Sequence, residues 1–476
     1  MQGVFIMNEI LFSRRHPEYT ALEQVWRRSA AAYSGGADYI DQALIRHVSE
    51  IDVEFAERRR RAYYFNYPRA IARRITQYVL ATEPMRHGGD PELIEDFSRT
   101  GLRVNEVIRQ LSTLVNVYGR AWLLVETPSF SGPVDLERAR RERLRPYCRA
   151  VSPLQVVDWA YGDDGKLLWV LIAEELFDNG DPFAAPVRSV RRRLLERGRW
   201  RLFESDSSGV REIAGGDNPA GEVPAVEVTE PDGFGLEARH WFEDVVRISE
   251  AILNNESEAQ MNVVKQMFGM LVVSDAFVRG GRRLNNAGNI DGNFAATVAR
   301  SAAIVESVEE KGISRFISPS GVENAAIRAE NVSLKRELYD VVGLAVQSPG
   351  REEQTAESKA WDFQNVCQFL AARADLLEQA ENAAWRLARK FDPGVKIPQI
   401  SYNRKFAVRD LAAAIEGLLR LGELDSGPEF RKALHRSALD LLDAVGSVGI
   451  SDRNRILEEI EQGGARPQSH EKDTCK

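Results

Sequence analysis

Cysteine is nearly absent from this chain. Cys148, Cys367 and Cys475 are spread over 476 residues with no CxxC pair among them. That excludes a disulfide framework and a cysteine-based zinc site, and it points to a reducing compartment. Histidine is sparse too, and His16, His47, His87, His240, His435 and His470 show no metal-ligand spacing. No uninterrupted apolar run approaches the ~18 residues of a membrane span, so no membrane contact is expected. The phosphate loop GxxxxGK(S/T) is missing, as are GxSxG, HExxH and GxGxxG. Gly165-Lys166 is followed by Leu167, which suits a hairpin turn instead. Carboxylate pairs such as Glu309-Glu310 and Glu352-Glu353 have no placed acid or base partner and read as solvated faces. No catalytic residue, cofactor or metal is therefore expected. A basic excess is lacking as well: net charge is −8, so there is no global nucleic-acid signature. The opening MQGVFIMNEILFSRRH runs apolar then basic, which reverses the order of a secretion signal. Met7 is a second candidate start beside Met1.

What is present is ordinary globular material, 43% hydrophobic and 28% charged, long enough for roughly two to four domains. The basic residues are unevenly placed. Arg58, Arg59, Arg60 and Arg61 form one cluster, Arg138 to Arg145 a second, and Arg188 to Arg201, with Arg191, Arg192 and Arg193, a third. Each is dense enough to contact phosphate. Each could equally be an ion-paired face or a subunit contact, with 71 acidic residues to supply partners. Tyr63, Tyr64, Phe65 and Tyr67 beside the first cluster suit either stacking on bases or a core.

Periodicity divides the chain. Helices are expected from about Pro17 to Ser49, broken at Gly35-Gly36, then from Pro68 to about Ala81, from Asp90 or Pro91, and from Val104 to Tyr118. Gly119 to about Glu230 reads as mostly antiparallel strands. These are GRAWLLVETP, then two or three strands in PYCRAVSPLQVVDWAYGDDGKLLWVLIAEEL with a turn at Asp163 to Lys166, then RGRWRLFES. A Gly/Pro-rich connection leads on to VPAVEVTEP. A long helix follows from about Arg239, with Trp241, Val245, Ile248 and Ile252 at helical spacing. An insert of short strands runs from Met270 to Gly321. A second helix covers Val322 to Gln347, and a third opens near Thr355 and carries Trp361, Val366, Phe369, Leu370, Leu377 and Trp385. Pro349 and Gly350 forbid continuity between the last two. KIPQISYN reads as a late strand rejoining the earlier sheet, and Ala407 to Ile460 as helical. Helices of about thirty residues are roughly 45 Å long, more than one compact domain needs. They suit a subunit that packs beside copies of itself through a heterologous, ring-closing interface.

This order of elements resembles the portal (head–tail connector) proteins of tailed bacteriophages, the long-tailed type in particular. NYPRAIARRITQYVL, VNVYGRAWLLVETP, SPLQVVDWAYGDDGKLLWVLI, NESEAQMNVVKQMFGMLVV and GREEQTAESKAWDFQNVCQFLAARADLLEQAE carry the resemblance, which extends from about Pro17 to Ile460. No single motif among them is diagnostic. The resemblance implies a predominantly helical α+β subunit. Residues 1–238 would be the wing, 239–269 the first stem helix, 270–321 a small α/β clip and 322–347 the second stem helix. Residues 348–354 would be a tunnel loop, 355–406 a long helix with a return to the wing, 407–462 a short helical crown, and 463–476 a disordered tail. It further implies a dodecameric ring at one capsid vertex of the virion, assembled in the host cytoplasm. That ring would conduct double-stranded DNA in packaging and ejection. The implied partners are the chain itself, the terminase large subunit, a head-completion or adaptor protein, and capsid and scaffolding proteins. Ser348, Pro349, Gly350, Arg351, Glu352, Glu353 and Gln354 would face DNA. Two other readings stay open: a nucleic-acid-processing enzyme using the basic clusters, and a monomeric helical adaptor.

Overall fold

The computed structural model describes residues 10–128, 137, 144–178, 182–183, 185, 187–206, 209–230, 240–267, 270–274, 304–306, 315–317, 322–342, 356–404, 406, 420, 427–444 and 450–461. The described residues are 54% helical and 21% strand, a mixture of helix and sheet consistent with an α+β chain. Two compact units divide at Phe406, one of residues 1–406 and one of residues 407–476.

The first unit opens with four helices: α1 (Pro17–Ser34), α2 (Ala37–Ala43), α3 (Asp52–Arg61) and α4 (Tyr67–Val79). His16 Nδ1 accepts from the Glu18 amide to cap α1. The helical stretch expected to Ser49 is broken at Gly35 and Gly36, which take positive φ, and ends earlier, at Ala43, where Leu44 turns extended. In α4, Asn66 accepts from the Arg69 amide and Pro68 occupies the first turn. Strand β1 (Met85–His87) and the short α5 (Pro91–Glu95), capped by Asp90, lead to α6 (Val104–Tyr118). Glu106 caps the Arg103 amide at one end of α6, and Gly119, in the left-handed region at φ 73°, closes the other.

Eight strands, β2 to β9, follow between Arg120 and Thr229. β2 (Arg120–Glu126) pairs antiparallel with β3 (Tyr147–Val151) on one side and β9 (Ala225–Thr229) on the other. Its residues from Ala121 to Glu126 are all buried, as a central strand covered on both faces requires. The other sheet is an antiparallel meander of β4 (Val156–Tyr161), β5 (Leu167–Asp178), β6 (Val187–Glu196), β7 (Arg199–Asp206) and β8 (Gly209–Asp217). Two elements differ from the sequence expectation. The arginine-rich run Arg188–Arg193 lies in strand β6 because acids on its neighbours face it. Arg191 stands across from Glu174 on one side and Glu204 on the other. Part of the expected Gly/Pro-rich connection is strand β8, which pairs along β7 despite its glycines.

Next comes α7 (Trp241–Met267), running into β10 (Met270–Ser274), which pairs parallel to β11 (Ile304–Glu306) and antiparallel to β12 (Arg315–Ile317). Then follow α8 (Val322–Val341), α9 (Ala356–Phe391) and β13 (Gln399–Ser401). The late strand does not rejoin the large sheets. β13 pairs with β1, Met85 opposite Ser401, in a two-stranded ribbon. At three residues it is too short to add to a long strand, and the backbone at 85–87 offers it a free edge.

Three cores hold this unit. One joins α4, α6, β2 and α9, with Trp385 and Phe97 fully buried and tilted against each other at 5.5 Å. A second lies between α1 and the five-stranded sheet, around Trp26, Trp122 and Trp159. The third packs α1, α2 and α4 on α7 through Tyr39, Tyr64, Phe242 and Val246. In the second unit, α10 (Pro428–Ala444) and α11 (Ile450–Glu461) are joined by an Arg436–Glu461 ion pair. The expected helix over LAAAIEGLLRLGEL lies outside the described residues apart from Arg420, as do FAATVARSAA and the 463–476 tail.

Gly119 is where α6, β2 and the start of α7 meet: a Cβ there would come within 2.9 Å of the His240 ring. Gly119→Ala should therefore destabilise the chain by about 1–2 kcal/mol from the left-handed backbone alone, with the displaced His240 adding to it. Urea unfolding reads this directly, and unchanged stability would show that the junction is looser than drawn.

Candidate functional site

The loop expected to carry function, Ser348 to Gln354, lies outside the described residues. Its frame is described: α8 ends at Val341 before it and α9 begins at Ala356 after it. The site is therefore built from the helices that hold that segment and from the clusters of charge around them.

Helices α7 and α8 form an antiparallel pair. Their near ends are tied through β10 and β12, where Met270 faces Ile317. Asn255 and Asn331 stand about equally far along the two helices from that pair and bond side chain to side chain at 3.0 Å. Asn331 also donates to Glu256 at 2.9 Å. On α8 the buried positions are Asn324, Asn331 and Leu338, a seven-residue repeat that makes a narrow seam. Such a seam is mostly polar, and the Asn324 carbonyl oxygen is buried in it without a partner among the described residues. Polar residues at seam positions set register at some expense in stability. Beside Leu338, the half-buried Leu334 and Tyr339 pack against the main core, and the other positions of this 20-residue helix are mostly exposed.

Helix α9, about 54 Å long at 1.5 Å per residue, is anchored at two places. The first is at Glu381, which is 0% exposed. Arg86 grips both of its oxygens, from Nε at 2.6 Å and Nη2 at 2.9 Å. Tyr402 donates its hydroxyl at 2.6 Å and Trp385 its indole N–H at 3.2 Å. Four donors fill the acceptor sites of one carboxylate. Arg86 reaches on to Asn105 of α6 at 2.7 Å. Burial, then the Glu381 charge, pushes the Tyr402 phenol well above its ordinary range. Glu378 accepts from the Tyr402 amide and from Arg404, fastening the chain that returns after β13.

The second anchor is at the start of α7. Glu230 accepts from the ring of His240 at 2.7 Å and pairs with Arg373 of α9. Arg373 also lies over Phe369, whose ring meets Trp241 edge-on. Burial alone would raise the Glu230 carboxyl, but the His240 hydrogen bond and charge and the Arg373 charge outweigh it and hold the pKa below the ordinary value.

Among the described residues the clustered arginines are mostly neutralised within the chain; Arg138, Arg140, Arg141 and Arg143 of the second cluster lie outside those residues. Arg58, 2% exposed, donates to Glu50, to Ser257 and to the Ile45 carbonyl. Arg59 pairs with Asp41, while Arg60 and Arg61 share Glu57. Arg191 pairs with Glu204, whose carboxyl Arg191 and Arg211 hold low. Arg193 pairs with Glu126 and Glu174 on the same face of β6. Arg192, on the opposite face, is buried under Phe12, and burial together with Arg15 lowers its pKa. Arg145 pairs with Glu92 and Asp96. Of the aromatic group, Tyr64 is core, while Tyr63 and Phe65 are exposed. These pairings fit the structural role better than a phosphate grip, because each salt-bridged guanidinium already has its counter-charge.

The two anchors went unnoticed in the sequence. A single sign was visible: Glu381 interrupts the apolar stripe of Leu377, Ala384 and Trp385. Glu230 and His240 carry no such signal, since the pair is made across separate elements. Among the described residues no group of His, Cys, Asp and Glu is placed to hold a metal ion. Among the same residues no helix is long and apolar enough to cross a membrane. Comparison with protein-family models and with curated proteins gives no match.

Two outcomes follow from the anchors. Glu381→Ala leaves Arg86 buried and unpaired, which costs about 3–5 kcal/mol; chemical unfolding should show it, and the double change with Arg86→Met should cost less than the sum. Glu230 has a lowered folded-state pKa, so its contribution is full above the unfolded value near 4.5 and fades as pH falls through the folded value. The melting-temperature gap between wild type and Glu230→Gln should accordingly be widest near neutral pH and close in acid.

Proposed function

We propose that the chain is a portal protein, the subunit of a ring-shaped channel at one vertex of a tailed-phage capsid. Double-stranded DNA passes through the ring inward during packaging and outward at ejection. The observation that carries this reading is the run of elements from Trp241 to Phe391. A 27-residue helix leads out to a three-stranded unit, a 20-residue helix returns beside it, and a 36-residue helix follows after a break. In portal terms these are the stem, the clip, the tunnel loop and the long helix, with β2–β9 in the wing.

Two features support the reading physically. The stem pair has too narrow a seam to need so long a structure for its own stability, so the length serves neighbours. The described arginines of the clusters are largely ion-paired inside the subunit, which suits a conduit that must release DNA at each step. A strong cationic clamp would stall translocation, because each phosphate contact is costly to break. In this reading Ser348 to Gln354 face the DNA, and Arg351 makes transient contact between Glu352 and Glu353. The clip docks the terminase large subunit, which supplies ATP hydrolysis, and later a head-completion protein. Capsid and scaffolding proteins surround the ring, which assembles in the host cytoplasm and ends in the virion. The subunit itself catalyses nothing and carries no cofactor.

Purified protein should appear in negative-stain images as rings with a central hole. Light scattering that returns a monomer at micromolar concentration, with no rings on the grid, overturns the reading.

A further inference from the structure

The segment between α2 and α3 is apolar where it meets water. Ile45, Val48, Ile51 and Val53 are all exposed, and Val48, at 101%, has its entire side chain in solvent. Isolated exposed aliphatics are common; three on one loop, with Val53 in the first turn of α3 beside them, are not. The loop is nevertheless firmly braced. Asn254 of α7 donates to the Ala43 carbonyl and accepts from the Ile45 amide. Arg58 holds the Ile45 carbonyl and both oxygens of Glu50. Arg46 donates twice to the Glu50 carbonyl. A loop with its backbone fixed and its apolar side chains outward is organised in advance for a contact, which lowers the entropy lost on binding.

Two shallow depressions, of about 280 and 260 Å³, flank the tip, and the exposed acid Glu258 lines both. The loop touches α7 at Asn254, whereas α8 touches α7 through Asn255 and Glu256. At 100° per residue these directions lie far apart around the α7 axis. The apolar tip and α8 thus occupy different sides of one helix. On α8 the positions turned away from the seam include Ala325, Ala329 and Val332, all exposed, with the exposed base Arg328 beside them. One surface is convex and apolar with an acid at its base. The other is a small-residue face with a base at its edge.

We propose that the loop tip of one copy (Ile45, Val48 and Ile51) packs on the outer face of α8 of a second copy (Ala325, Ala329 and Val332), with Glu258 opposite Arg328. This rests on the ring reading. The two patches differ, so the contact is heterologous and propagates from copy to copy instead of closing as a twofold dimer.

Three sets of variants test it, all full-length. Val48→Asp changes a side chain that touches nothing in its own subunit, so the fold should persist while the ring population falls at least tenfold by negative stain and scattering. Glu258→Arg and Arg328→Glu should each weaken assembly, and together restore it. Val48→Cys with Ala329→Cys, with Cys367→Ser and Cys475→Ser, should give a ladder of covalent multimers on oxidation, absent from either single-site variant. Wild-type rings combined with an assembling Val48→Asp and no ladder overturn the contact while leaving the ring reading intact. A monomeric wild type overturns both.

Discussion

A single buried carboxylate sets the position of the longest helix. Glu381 lies inside the apolar stripe of α9, where an unpaired charge would be prohibitively expensive. Its four donors come from the Arg86 strand, from the Tyr402 return and from Trp385 of α9 itself. No sliding or rotation of α9 by one turn preserves that set. The charge cluster therefore fixes where the helix lies in the core, and with it the direction in which the N-terminal part of α9 leaves that core. Burying such a group contributes little net stability compared with apolar packing; what it contributes here is a unique register.

The Glu230 junction makes a second fixed point on the same helix. Arg373 couples α9 to Glu230, the first residue after β9, and His240 couples that residue to the start of α7. Gly119, at the end of α6, lies close enough to His240 that no side chain fits between them. Helices α6, α7 and α9 and the three-stranded sheet thus meet at one place. In contrast, α8 is held by a narrow polar seam. The rigid framework is built from α7 and α9, and α8 presents most of its surface outward. That asymmetry between a firmly held and a lightly held helix leaves most described positions of α8 exposed.

The basic clusters show how a charge run misleads when read without its partners. Arg191, Arg192 and Arg193 look like one patch in sequence, yet strand alternation sends the outer two to one face and Arg192 to the other. Acids for Arg58 to Arg61 come from positions 41, 50 and 57, all within twenty residues, so part of that pairing was open to local inspection. The acids for Arg193 come from Glu126 and Glu174 on other strands, which only the sheet registers bring together.

Local chemistry in the sequence determined the elements themselves. Asn66-Tyr67-Pro68, Glu106 and Gly119 mark helix ends by capping and backbone geometry, and the 3.6-residue stripes of α7 and α9 mark their buried faces. These signals are legible because each depends on residues within a few positions of one another. The tertiary structure alone decided which strands pair and which charges meet. β13 joins β1, not the larger sheets, and the arginine-rich run is a strand. Glu381, Arg86 and Tyr402 converge from segments hundreds of positions apart at the extreme. Pairings of that kind depend on where whole elements lie, and a hydrogen bond at 2.6 Å leaves no trace in the local pattern of either residue that makes it.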